Sequence, residues 1–188
     1  GLVSLLVVAA AVDLGGGFCW LGRWAISAGA ASVLGLDVSE KTLERARADT
    51  SSLPIDYRRA DLEAFQLAPA SFDLAYSSLT LHYLVNLPGL LAEVHRALVP
   101  DGRFVFSVEH PIFTAPSTPQ WADHPKGHRI WPVDDYLVEG PRTTEWLAPG
   151  VVKKHRTIST YGTLHPAAGL ATQTLTDGGQ TAGQTPAH

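Results

Sequence analysis

The chain has 188 residues, 45% of them hydrophobic and 17% charged, enough for one α/β domain with a sizeable buried core. Its formal net charge of −4 comes from mixed signs without a block of Lys and Arg, which argues against a nucleic-acid partner. One cysteine, Cys19, excludes an internal disulfide, a Cys-rich metal centre and a redox dithiol, so a reducing, cytoplasmic compartment is expected.

The apolar opening from Leu2 to Val12 has no basic start and no cleavage pattern, and it is too short to span a bilayer. It reads as a buried strand, and no stable membrane association is expected. The absence of methionine and the start at Gly1 suggest a processed or truncated product.

From Leu5 to Leu14 a nearly continuous apolar run ends in Gly15-Gly16-Gly17, the pattern of a parallel strand covered on both faces. Trp20, Leu21, Trp24, Ala25 and Ala28 then recur at helical spacing, and Gly29 supplies the stop. Ser32 to Leu36 reads as a second strand ending at Asp37, followed by Ser39 as N-cap of a helix carrying Leu43 and Ala46 inward. Ile55 to Arg59 reads as a third strand closed by Asp61, and Phe72 to Ser77 as a fourth. A stripe of Leu90, Leu91, Val94, Ala97 and Leu98 predicts a helix that halts at Pro100-Asp101-Gly102, before a β-forming stretch over 103–108.

Strands alternating with helices imply parallel pairing through right-handed crossovers. The expected fold is therefore a Rossmann-like, doubly wound, mostly parallel sheet in three α/β/α layers. From His110 to Gly150 a segment rich in Pro, Trp and His is too long for an ordinary connection and reads as a substrate-side loop or insertion. A further helix is expected over Thr157 to Ala168 and a sixth strand over Leu170 to Leu175. The core then spans 1–176, and the polar, Gly-rich 177–188 forms a disordered tail.

Ligands of such sheets bind beyond the carboxyl ends of the strands, near the point where the strand order reverses. Those ends carry Asp13 with Gly15, Gly16, Gly17 and Phe18, then Asp37-Val38, Asp61-Leu62 and Ser77-Ser78. Glycines allow close approach to the backbone, and the amides opening the next helix offer donors. Asp13 repels a pyrophosphate but suits an ammonium and a sulfonium. Asp37 can accept both hydroxyls of a ribose. Asp61 can accept an exocyclic amine of adenine while the Leu62 amide donates to the ring. Together these residues describe a site for an adenosine joined to a positively charged amino acid.

The runs Val12-Asp-Leu-Gly-Gly-Gly-Phe18, Val33-Leu-Gly-Leu-Asp-Val-Ser39, Arg59-Ala-Asp61, Ser71 to His82 and Leu98-Val-Pro-Asp-Gly-Arg-Phe104 resemble the type 11 class I methyltransferases. The resemblance implies S-adenosylmethionine (SAM) as cofactor, a small-molecule methyl acceptor, and a glycine loop whose positions fall on Asp13, Gly15 and Gly17. Cys19 stands where the loop's final glycine belongs. The helical segment before the first strand is missing, and the closing antiparallel strands are incomplete. Ser77 and His82 join the expected cofactor contacts.

His82, Glu109, His110 and His155 are the titratable groups expected to face the methyl donor, with His110 as general base. Asp73 at the opposite rim reads as structural. His124 and His128 read as a solvated loop and no metal site is expected. Trp121, Trp131 and Trp146 can either line an acceptor pocket or pin the loop. Two other readings stand beside the enzyme: a non-catalytic scaffold of the same fold, and an NAD-dependent oxidoreductase. The second is disfavoured because Trp20 occupies the third glycine position of a dinucleotide fingerprint.

Overall fold

The computed structural model describes residues 9–144 and 150–177. The start of the apolar opening, Trp146 and nearly all of the expected tail lie outside the described residues. Five strands form one sheet: β1 (Ala10–Leu14), β2 (Ser32–Asp37), β3 (Ile55–Arg59), β4 (Phe72–Ser78) and β5 (Leu98–Ser107). Their order is β3-β2-β1-β4-β5 and every pair is parallel, so the chain reverses direction across the sheet between β1 and β4. This is the Rossmann-like three-layer architecture expected from the sequence.

Alternation along β1 sorts the core. Val12 and Leu14 face the layer of α3 (Leu87–Ala97) and α5 (Ile158–Ala167), where Leu87, Leu90, Leu91, Val94 and Tyr161 are buried. Ala11 faces the opposite layer of α1 (Trp20–Ser27), packing with Ala25, Val33 and Leu74. In α2 (Glu40–Asp49), Leu43 and Ala46 pack on Cys19 and Tyr57, and the Ser39 hydroxyl accepts from the Thr42 amide as N-cap. Asp73 holds the sheet's far end, where its Oδ2 accepts from the amides of Ala9 and Ala10 at 3.0 and 2.8 Å.

Residues 60–71 cross between β3 and β4 without a helix; Leu62 and Leu67 are buried with α3 in one core cluster, and Glu93 and Arg96 bond the Leu67 backbone. Two expectations need correction. Pro100-Asp101-Gly102 does not end the helix ahead of a new strand. It is a bulge inside β5, with Asp101 at φ 65° and a register shift against β4. No sixth strand forms at 170–175, because Leu170 folds back on the core while its amide donates to the His165 carbonyl at the end of α5.

After β5 the chain builds a cap from α4 (Pro111–Thr114), the hairpin of β6 (Ala122–Asp123) and β7 (Arg129–Ile130), and the hairpin of β8 (Gly140–Thr144) and β9 (Val151–His155). Among the described residues no helix is long and apolar enough to cross a membrane.

Candidate functional site

The end of β1 turns sharply because Gly15 and Gly17 adopt left-handed conformations, φ 74° and 52°. The amides of Gly15 and Gly16 both donate to the Leu36 carbonyl, tying the loop to the end of β2. At Gly15 a Cβ would stand 2.4 Å from the Thr80 hydroxyl oxygen, so the loop passes closer to the segment after β4 than any other residue allows. Cys19 completes the turn at φ 53° and caps α1. A left-handed backbone is what a glycine there would supply without strain. The cysteine side chain does not crowd the loop: its thiol is buried behind it, against Gly22 and Tyr57.

This turn leaves an open cleft of about 360 Å³ at the switch point, lined by Asp13, Gly15, Gly17, Trp20, Tyr76 and Ser78. Asp13 lies at its base with only 2% of its surface exposed. Its Oδ1 is buried without a hydrogen-bond partner among the described residues. Burial first, and then the charge of Asp37, push the carboxyl up to about 7. At Gly16 a Cβ would meet Asp13 Oδ2 at 2.4 Å, so the glycine leaves room for the carboxylate. A buried anion without a partner costs several kcal/mol unless a cation completes it, of order 1–3 kcal/mol even for the lost hydrogen bonding alone.

Asp37 is only partly buried and is held in place by two backbone donors, Gly17 N to Oδ2 at 3.1 Å and Ser39 N to Oδ1 at 2.8 Å. Each oxygen keeps a second lone pair for a ligand hydroxyl. Phe18 and Val38 stand exposed on the rim, and the Arg45 guanidinium lies 4.7 Å from the centre of the Phe18 ring. Asp61 lies one strand further along the same rim: Asp37 pairs with Arg59, and the Ala60 amide donates to the Asp37 carbonyl. Asp61 is exposed, and its Oδ1 accepts from the Glu63 amide at 2.9 Å. The Leu62 side chain is buried in the α3-side core, leaving only its backbone for a ligand.

Three expected contacts are turned elsewhere. Ser77 is fully buried and its hydroxyl donates to the Leu14 carbonyl at 2.9 Å, fastening β4 to β1; the neighbouring Ser78 lines the cleft instead. His82 is buried and its Nδ1 accepts from the Glu109 amide. Burial first, and then Lys153 and Arg156, push it down to about 4, so it is neutral and structural. His110 caps α4 through Nδ1, which accepts from the Ile112 amide, and its Nε2 lies 3.4 Å from Asp177. Both ring nitrogens thus face groups of this chain rather than the cleft.

Trp20 is also corrected. It stands 61% exposed on the cleft, not packed on the sheet, so its bulk does not obstruct the helix. Close packing is achieved two residues later, where a Cβ on Gly22 would meet Cys19 Sγ at 2.3 Å and Ile55 at 3.2 Å.

The cap carries its own polar network. Lys153, buried, donates to Glu109 Oε2 at 2.6 Å. His155, also buried, joins Thr114 Oγ1 at 2.9 Å to the Tyr136 carbonyl at 2.8 Å. Arg156 donates to the carbonyls of Leu84 and Val85. Trp131 donates to the Ile112 carbonyl and packs against both Phe113 and Trp121. His124 and His128 stack across the β6–β7 hairpin at 4.5 Å. Among the described residues no three His, Cys, Asp or Glu side chains gather as metal ligands would.

Comparison with known proteins fits this geometry. Residues 12–106 match the model of a family described as a methyltransferase domain. A crystal structure of an S-adenosylmethionine dependent methyltransferase from Mesorhizobium loti is 55% identical, with a TM-score of 0.83 over 88% of this chain and 75% of that one. An uncharacterized protein of Haemophilus influenzae is 33% identical over 70% of this chain and 55% of its own length. A malonyl-[acyl-carrier protein] O-methyltransferase of Erwinia pyrifoliae is 38% identical over 51% of this chain and 36% of its own. The chain thus spans about half, or less, of the length of these two curated relatives.

Proposed function

Because the chain belongs to the SAM-dependent methyltransferase family, we propose that it transfers the methyl group of SAM to a small-molecule acceptor by in-line displacement. The observation that carries this reading is the buried, unpartnered oxygen of Asp13 at the base of the cleft. It is a carboxyl oxygen held out of water with no partner among the described residues, and an amino-acid ammonium would stabilise its ionised form.

Asp37 would hold the ribose hydroxyls on its two spare lone pairs. Phe18 and Val38 would flank the base, with Asp61 and the Leu62 amide at its edge. Bound SAM supplies a methyl carbon on a sulfonium leaving group, so the protein needs no covalent nucleophile. Its task is to hold acceptor and donor in line and to exclude water, which supplies most of the gain.

On the acceptor side we place the 110–150 segment, with Glu109 in the role that the sequence suggested for His110. Lys153 fixes Oε2 of Glu109 and leaves Oε1 to accept a proton from a hydroxyl or amine. The resemblance to the carrier-protein methyltransferase favours a second reading, in which the acceptor is an acyl group tethered to a carrier protein.

Calorimetric titration with SAM tests the cofactor reading: binding to the wild-type chain is expected, and Asp37→Ala should weaken it at least tenfold, about 1.4 kcal/mol. No binding to the wild-type chain would refute the reading. Incubation with labelled SAM and either a panel of amines, phenols and carboxylic acids or a malonylated carrier protein separates the two acceptors.

A further inference from the structure

The cleft has one wall that the cofactor reading does not use. Trp20 is the first residue of α1, immediately after the glycine loop, and its indole is one of the most exposed large apolar groups at the site. An exposed tryptophan is costly in water, and this one is not left to wander. It stacks on Trp24 one turn along the helix, with ring centres 6.5 Å apart and planes within 14°. Trp24 backs one face of the indole, and the residue lines the same cleft as the unpartnered Asp13.

An anion at the base and an aromatic face at the side are the two elements that recognise an organic cation together. The carboxylate meets a group that can donate hydrogen bonds. The ring meets a charge that cannot, because its carbon substituents leave no N–H or O–H. A sulfonium is such a charge.

We propose that Trp20 is a cofactor-specificity residue whose indole lies against the sulfonium region of SAM, so that the cleft favours the charged methyl donor over its neutral thioether product. The inference rests on the cofactor reading above and adds a distinct claim. The hydrogen bonds proposed for Asp13 and Asp37 go to the ammonium and the ribose, groups that SAM and S-adenosylhomocysteine share, so those bonds do not separate donor from product. Trp20 would lie against the sulfur, where the two differ by a methyl group and a positive charge. Transfer of the methyl group removes the charge, weakens the contact with the ring and helps release the product.

The test is calorimetry of SAM and of S-adenosylhomocysteine binding to the wild type, Trp20→Phe and Trp20→Leu, with intrinsic fluorescence as a second readout. Trp20→Leu should weaken SAM on the order of tenfold and S-adenosylhomocysteine no more than about threefold. Trp20→Phe, which keeps an aromatic face, should retain most of the preference for SAM. The emission change caused by SAM in the wild type should shrink in Trp20→Phe. Because the side chain is exposed, both variants should melt with the wild type. Equal loss for the two ligands in Trp20→Leu, or no loss for either, would overturn the proposal while leaving the cofactor reading intact. Failure of the wild type to bind either ligand would overturn both.

Discussion

The glycine-loop cleft and the cap over β5 both bury charge, and they treat it in opposite ways. In the cap, Lys153 meets Glu109 at 2.6 Å and His155 bonds through both ring nitrogens, so these buried groups are answered from within the protein, and Arg156 Nη1 is the one cap atom left buried without a partner among the described residues. In the cleft, Asp13 is as deeply buried as Lys153 and one of its oxygens has no partner. The first pattern is how a polar network holds a loop structure in place. On the proposed reading the second keeps a destabilising charge where a ligand would neutralise it, and what sets Asp13 apart from the unpartnered Arg156 and His165 atoms is that it lines the cleft.

This contrast should break most sharply at Asp13. Asp13→Asn removes the charge with little change of shape. SAM affinity should fall a hundredfold or more, about 3 kcal/mol, by calorimetry. The ligand-free protein should at the same time become more resistant to urea near pH 8. Lys153→Ala should do the reverse, costing about 2–3 kcal/mol of stability because Glu109 loses its partner, with SAM affinity nearly unchanged. A variant that lost binding and stability together would erase the distinction.

A pH series sharpens the same point. The folded carboxyl of Asp13 titrates at about 7, above its ordinary 3.8, so between those values the folded state binds more protons than the unfolded one. Its contribution to stability is therefore full below about pH 4, falls as pH rises, and is gone above about 7. Urea unfolding of the ligand-free wild type against Asp13→Asn should show the gap widening by about 2 kcal/mol from pH 5 to pH 7. The smallest expected effect is at Cys19. Cys19→Gly relieves a left-handed backbone but empties a small buried site, and the opposing terms should leave stability within about 1 kcal/mol of wild type.

The sequence made the cleft readable and the cap almost opaque. Asp13 and Asp37 could be located because each ends an apolar strand, and parallel strands bring such ends to one rim. Trp20 could not be oriented: its helical spacing with Leu21 and Ala25 put it on the packed stripe, whereas the left-handed turn at Cys19 starts the helix with that indole toward the cleft. Ser77 and His82 follow the same logic. Their position after β4 was legible, but which way each side chain points depends on the bond to Leu14 and on the Glu109 amide, both contributed by distant residues. In the cap, Gly140–Thr144 lacks a strand's alternation, and it becomes one only by pairing with Val151–His155.

The central claim, that Asp13 waits for a cation, is tested most directly by proton release. SAM binding should be measured by calorimetry between pH 5.5 and 7.5 in two buffers of different ionisation enthalpy. Release of close to one proton at the acidic end, with affinity rising toward pH 7.5 and both effects gone in Asp13→Asn, is the expected result. Binding that is independent of pH and releases no proton, or that is unchanged in Asp13→Asn, would contradict it.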